Sequence, residues 1–156
     1  MGLDLSEFTV KPSERHKPNS IILYGPPGGG KTWLAASASE LKDFQKTLII
    51  DTEGSTFGTL SGFKDENIDI FPVSDIDAFD DLLTALLTEE HDYKAVILDT
   101  LDVLQSMYID KVMAEEERKD RPNTMAAWGA VRTWTVSVMD RLNRAPFLSI
   151  IVAHQT

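Results

Sequence analysis

No cysteine occurs among the 156 residues. A disulfide scaffold, a thiolate metal site and a cysteine nucleophile are therefore excluded. No apolar run approaches the ~20 residues of a membrane-spanning helix. The opening stretch MGLDLSEFTVKPSERHKP has no apolar signal core, so an intracellular protein is expected. Basic residues are scarce, 15 against 25 acids, for a net charge of −10. The deficit is concentrated. Residues 64–92 hold ten acids against Lys64 alone, a net of −9, which leaves about −1 for the rest. An acidic surface repels nucleic acid, whose binding depends on neutralising phosphates. Here that exclusion applies only to the one segment. Internal repeats and low-complexity tracts are also absent. What is present is ordinary for a globular domain: 42% apolar and 26% charged residues exclude wholesale disorder. The length is that of one domain with a real core.

The pattern alternates strands and helices. Residues 1–19 are polar, carry Pro12 and Pro18, and read as a leader or short edge element. Ser20 to Tyr24 is an apolar run closed by a glycine-rich turn, and reads as a buried strand. Lys31 to about Asp43 has good helix formers and no breaker. Lys46 to Asp51 (KTLIID) is a second strand, and such unalternating runs suit a parallel sheet buried on both faces. Residues 52–67, with Gly54, Gly58 and Gly62, read as loop, and Ile68 to Val73 as a short strand. Ser74 or Asp75 supplies an N-cap, and Ile76, Phe79, Leu82, Leu83, Leu86 and Leu87 recur at helical spacing. The acids of this helix fall largely between those positions, on a solvated face. Lys94 to Thr100 (KAVILDT) is a third buried strand, Leu101 to Glu117 a helix, residues 115–123 a charged loop and Thr124 to Arg144 a long helix. Pro146 precedes a last strand, 147–153. Strand–helix alternation predicts an α/β fold, a parallel sheet covered by helices, with residues 20–156 as one core.

Three constellations carry chemistry. Gly25-Pro26-Pro27-Gly28-Gly29-Gly30-Lys31-Thr32 fits G-x-x-x-x-G-K-[ST] between a strand and a helix. Glycines let backbone N–H groups turn inward around a phosphate without Cβ clashes, and the helix that follows points its positive end at the same anion. Lys31 adds a cation for the β- and γ-phosphates, and Thr32 a hydroxyl for Mg²⁺. A dinucleotide fingerprint is excluded by Trp33, which stands where its third glycine belongs, and it leaves Lys31-Thr32 unexplained. Asp99 ends an apolar strand, and at the carboxyl edge of a parallel sheet it can hold Mg²⁺ with Thr32. Thr100 follows it, so an acid that orients water must come from elsewhere. Glu53, just beyond the second strand, can reach the crevice; as a loop acid or cap to the Gly54–Gly58 turn it needs no such role, and on the residues alone both readings stand. His154 and Gln155 follow the last strand at the same edge. A glutamine there can hydrogen-bond a γ-phosphate or its attacking water, while His154 also reads as a plain hydrogen-bonded strand end.

Together these motifs resemble a RecA-like P-loop ATPase over about residues 20–155. The resemblance implies a three-layer α/β fold with strand 147–153 between strands 21–24 and 94–99, and strand 46–51 beyond the latter. It makes residues 25–32 the Walker A loop and Asp99 the Walker B aspartate. Asp51-Thr52-Glu53 resembles the family's aspartate-x-glutamate, so Glu53 corresponds to its catalytic glutamate. His154-Gln155 resembles the family's asparagine–glutamine pair, so Gln155 corresponds to the nucleotide sensor, and His154 departs from asparagine. The phrases IILYGPPGGGKT, IIDTEGS and SIIVAH, with the Trp128-Gly129 helix, are most similar to phage-encoded ATP-binding proteins of the RecA-like AAA group, some of which act with a single-strand-binding protein in recombination or annealing. Implied are ATP and Mg²⁺ as cofactors. Glu53, Lys31 and Gln155 would serve catalysis. Gly25 to Thr32, Trp33, Asp99 and His154 would line the nucleotide, and Thr32 and Asp99 the metal. Single-stranded DNA, a single-strand-binding protein and further copies of the chain would be partners, with no membrane, in the cytoplasm of a bacterial host.

Relatives of this kind continue past the sensor strand, so the chain reads as C-terminally truncated or as a short member. Their first DNA-binding loop corresponds to about 113–127, where Arg118, Lys119 and Arg121 are offset by Glu115, Glu116, Glu117 and Asp120, so a solvated loop is the stronger expectation. Arg132, Arg141 and Arg144 are expected on the helix surface. Trp128 and Trp134 are expected as packing residues, and Trp33 beneath the loop, with stacking on adenine as its alternative. Two other functions share the loop: a small-molecule or nucleotide kinase with 115–123 as lid, and a non-catalytic nucleotide-binding module.

Overall fold

A computed structural model describes residues 20–54 and 56–155, the Phe57 side chain excepted. The leader read at 1–19 lies outside the described residues. β1 (Ser20–Gly25), β2 (Thr47–Asp51), β3 (Ile68–Pro72), β4 (Ala95–Asp99) and β5 (Leu148–His154) form one parallel sheet in the order β1-β5-β4-β2-β3. β5, last in the chain, lies between β1 and β4, as expected. Alternate residues of the central strands face opposite layers. Ile49, Ala95, Ile97, Ile150 and Val152 pack with Ala35, Ala36 and Ala38 from α1 (Lys31–Ala36) and the turn after it. Leu48, Ile50, Val96, Leu98 and Ile151 pack with Phe79 and Leu83 of α3 (Ile76–Thr88), Leu104 of α4 (Leu101–Glu117), and Val138 and Leu142 of α5 (Thr124–Arg144). Both faces are thus buried, which is why these strands read as continuous apolar runs.

Four expectations need correction. Among the described residues β1 lies at the end of the sheet with β5 as its one neighbour, and Ile21, Ile22 and Tyr24 are 42%, 56% and 66% exposed, not buried as a core strand would be. The helix expected to run to Asp43 stops at Ala36 and gives way to 3₁₀ turns, where the Ser37 and Ser39 hydroxyls donate to the carbonyls three residues back. The loop at 52–67 contains a short helix, α2 (Thr56–Thr59), and a 3₁₀ turn at Asp65–Asn67. The loop after α4 is shorter than 115–123, since α4 runs to Glu117; Glu116 is buried, and its carboxylate accepts from Lys119 Nζ and Asn123 N. Asp75, not Ser74, caps α3 by accepting from Ala78 N.

Candidate functional site

The strand registers pair Gly25 with His154 and Asp51 with Asp99, so four strands end along one edge. From β1 the chain turns through Pro26 to Gly30 into α1. Gly28 and Gly30 sit at φ 74° and 78°, a left-handed region that a Cβ disfavours. Lys31 folds its ammonium back onto the loop, donating to Gly25 O at 2.9 Å and Pro26 O at 2.7 Å. Gly25 O also accepts from Gln155 N at 2.9 Å, which ties the end of β5 to the loop. The Gln155 side chain is exposed.

Thr32 Oγ1 donates to Asp99 Oδ2 at 2.6 Å. Asp99 is buried, and burial pushes its carboxyl up; the Thr32 hydrogen bond opposes this, and the charges of Glu53 and Asp51 add to it. A divalent cation would offset that crowding of acids. Among the described residues no three of His, Cys, Asp or Glu converge to hold a metal by themselves. A hydroxyl and a carboxylate are hard oxygen donors, and Mg²⁺ is commonly held by one or two protein oxygens with phosphates and water completing the shell. The pair therefore fits Mg²⁺ arriving with a phosphate ligand.

Glu53 is held by its neighbours. Asp51 Oδ1 accepts from Glu53 N at 3.1 Å and Gly54 N at 2.9 Å, and Asp51 Oδ2 accepts from Thr56 Oγ1 at 2.7 Å. Thr52 Oγ1 accepts from Thr100 N at 2.8 Å and donates to Thr100 O at 3.2 Å, joining the ends of β2 and β4. Glu53 Oε1 lies 3.4 Å from Thr100 Oγ1 and 3.6 Å from His154 Nδ1. His154 N donates to Asp102 Oδ2 at 2.7 Å, so His154 is a hydrogen-bonded strand end whose ring also reaches Glu53.

Asp51 as organiser of the Glu53 loop, the Thr52–Thr100 lock and the Asp102 clamp all escaped the sequence reading. A signal for the first two is the Asp-Thr pair repeated after both strands, at 51–52 and 99–100. Asp102 was visible only as an acid in the first turn of a helix, a common feature. Trp33 is 54% exposed, its ring centroid 5.9 Å from that of Phe63, and so is not packed beneath the loop. Trp134 is a packing residue, stacked on Tyr108 at 4.5 Å and edge-on to Phe79 at 5.9 Å. Trp128 is not: it is 59% exposed and borders a cavity of about 500 Å³ between α4 and α5. That cavity touches Asp102 but none of the loop residues 25–32. Arg141 and Arg144 lie on the surface of α5, paired with Thr84 and Asp140.

Residues 17–156 match the family described as AAA domain. The chain belongs to the AAA domain family. An AAA domain is of the ATP-binding, P-loop NTPase class, which agrees with the loop at 25–32. No curated protein matches this AAA domain. Among solved structures it is similar to a chain described as a unique ATP synthase subunit NeqB from Nanoarcheaum equitans, with 19% identity and a TM-score of 0.57. The match covers 89% of this AAA domain and 40% of that subunit. At that identity the likeness shows the fold. No helix among the described residues is long and apolar enough to cross a membrane.

Proposed function

We propose that this AAA domain binds ATP with Mg²⁺ through residues 25–32 and Asp99, and hydrolyses the bond between the β- and γ-phosphates. The reading is carried by one observation: Thr32 hydrogen-bonds Asp99 at the carboxyl edge of the sheet, where Lys31 folds onto the glycine loop, Gln155 N ties β5 to that loop and the charge of Glu53 reaches Asp99. Crevices at that edge are where open α/β sheets bind ligands. Bound Mg²⁺ would supply neutralisation of phosphate charge, held by Thr32 and Asp99. Lys31 exchanges its two carbonyl acceptors for phosphate oxygens. Glu53 accepts a hydrogen bond from a water and aims its oxygen at the γ-phosphorus, and the bond to the departing ADP oxygen breaks as the new one forms. Gln155 contacts the γ-phosphate or that water. Trp33, exposed two residues beyond Lys31, offers a face to the nucleobase.

β5 between β1 and β4 supports hydrolase over kinase, since a kinase would set the strand of Asp99 directly beside β1. The finer reading is an ATPase that supports DNA recombination, repair or replication as an oligomer with a single-strand-binding protein, stimulated by single-stranded DNA. It is supported by the resemblance of the motif phrases. Exposed Arg118 and Arg121 after α4 are available cations for such a strand, while Lys119 is paired with Glu116.

Phosphate release with and without single-stranded DNA tests both levels. Release that Glu53→Gln abolishes, with ATP affinity kept, is the expected result. Normal turnover in Glu53→Gln contradicts the role of Glu53. ADP that forms only with an added nucleoside or metabolite, without matching phosphate release, points to a kinase, and release indifferent to DNA removes the recombination reading.

A further inference from the structure

We infer that His154 is a positioning residue for Glu53: its imidazole Nδ1–H, together with the Thr100 hydroxyl, fixes one oxygen of the Glu53 carboxylate, so that the carboxylate meets water in a single orientation. The inference rests on Glu53 as the water-orienting group.

Glu53 leaves β2 in a loop, and a glutamate carries rotamer freedom that must be lost before it can aim a water. Two other strand ends supply restraint. Thr100 follows β4 and brings its hydroxyl to 3.4 Å from Oε1, and His154 ends β5 and brings Nδ1 to 3.6 Å from the same atom. These separations are loose for hydrogen bonds, and catalytic hydrogen bonds often tighten only with substrate in place. Both donors are held by the fold. Thr100 is fully buried and locked to Thr52. His154 is pinned through its own N–H to Asp102 Oδ2 at 2.7 Å, and the next amide, Gln155 N, donates to the glycine loop. The ring is about a quarter exposed, and Glu53 about a third. Among the described residues, charged groups at this edge include Asp99, whose carboxyl senses Glu53, Asp51 and His154, Asp102 from α4, and Lys31 on the loop. Most of them are acids, and like charge pushes Glu53 outward from Asp99 and Asp51. With Nδ1 turned toward Oε1, the His154 ring can supply a donor that holds it.

The chemistry predicts which substitution is tolerated. Asparagine carries its amide nitrogen on Cγ, where histidine carries Nδ1, so His154→Asn keeps a donor in place and His154→Ala does not. Full-length wild type, His154→Asn, His154→Ala and Glu53→Gln are compared for phosphate release with MgATP, and the histidine ring nitrogens of wild type and Glu53→Gln are observed by ¹⁵N NMR. His154→Ala is expected to lower kcat about tenfold or more with KM for ATP within about twofold, and His154→Asn to recover most of the loss. The Nδ1 resonance of His154 should move in Glu53→Gln. Equal loss in His154→Asn and His154→Ala, a change confined to KM, or an Nδ1 resonance indifferent to Glu53→Gln overturns the inference. If His154→Ala does not fold, His154→Asn and the resonance decide. Normal turnover in Glu53→Gln overturns the reading beneath it instead, and so does a wild type that releases no phosphate.

Discussion

Removing the Asp51 carboxylate should loosen the loop that carries Glu53 without touching the phosphate loop. Asp51 is 2% exposed and accepts from Glu53 N, Gly54 N and Thr56 Oγ1. Hydrogen bonds to a charged group contribute about 1.5–3 kcal/mol each. In Asp51→Ala the two amides lie beside exposed residues and regain water, so each costs less than that range. Thr56 is 2% exposed, and its hydroxyl is left without a partner at about 1–3 kcal/mol. The sum is a loss of about 2–5 kcal/mol, or roughly 5–15 °C in Tm for a chain of this size. Asp51→Asn keeps an oxygen for both amides and can donate to Thr56 Oγ1, so it should lose only about 1 kcal/mol. Urea unfolding followed by circular dichroism measures the stability, and phosphate release measures the loop: kcat should fall in Asp51→Ala while ATP affinity persists. An alanine variant within about 0.5 kcal/mol of wild type and with unchanged kcat would refute the reasoning.

Phe79 is fully buried against Trp134, so Phe79→Ala should cost about 3–5 kcal/mol in urea unfolding; a loss below about 1 kcal/mol would contradict its place in the core. Lys46 and then Tyr93, by their hydrogen bonds, hold the Asp69 carboxyl below its ordinary range, so this stability is present above the unfolded carboxylate pKa and is lost as pH falls through the lower folded value. Burial first, and the bond to Asp69 second, push Tyr93 from 10.0 up to about 12, so its contribution is complete below pH 10 and is lost as pH rises through about 12. Urea midpoints across pH should show the acid limb weakened in Asp69→Asn and the alkaline limb weakened in Tyr93→Phe; unchanged limbs would contradict both assignments.

Most of the geometry of the candidate site was legible because it is local in sequence. A glycine loop, a strand ending in Asp99 and polar residues after a last strand each follow from backbone sterics or sheet geometry within a few residues. What was not legible depends on neighbours far along the chain. Ile21, Ile22 and Tyr24 have the apolarity of a core strand, and only the order of the described strands puts β1 at the end of the sheet. Trp128 and Trp134 lie on one helix with the same side chain; Trp134 meets Tyr108, Phe79 and Asp80, whereas Trp128 faces a cavity. Asp51 reads as one more acid at a strand end until Thr56 and the two amides are seen to converge on it. The early end of α1 was foreseeable from Ser37 and Ser39, whose short hydroxyl side chains compete with the helix ladder.

The central claim is that the turn between Gly25 and Thr32 holds a triphosphate. Isothermal titration calorimetry of the full chain with ATP and Mg²⁺, beside Lys31→Ala, tests it most directly. The expected result is saturable binding of one nucleotide per chain that weakens at least tenfold when Lys31 is removed. Wild-type protein that gives no binding at millimolar nucleotide, or a Lys31→Ala variant that binds as tightly as wild type, would contradict it.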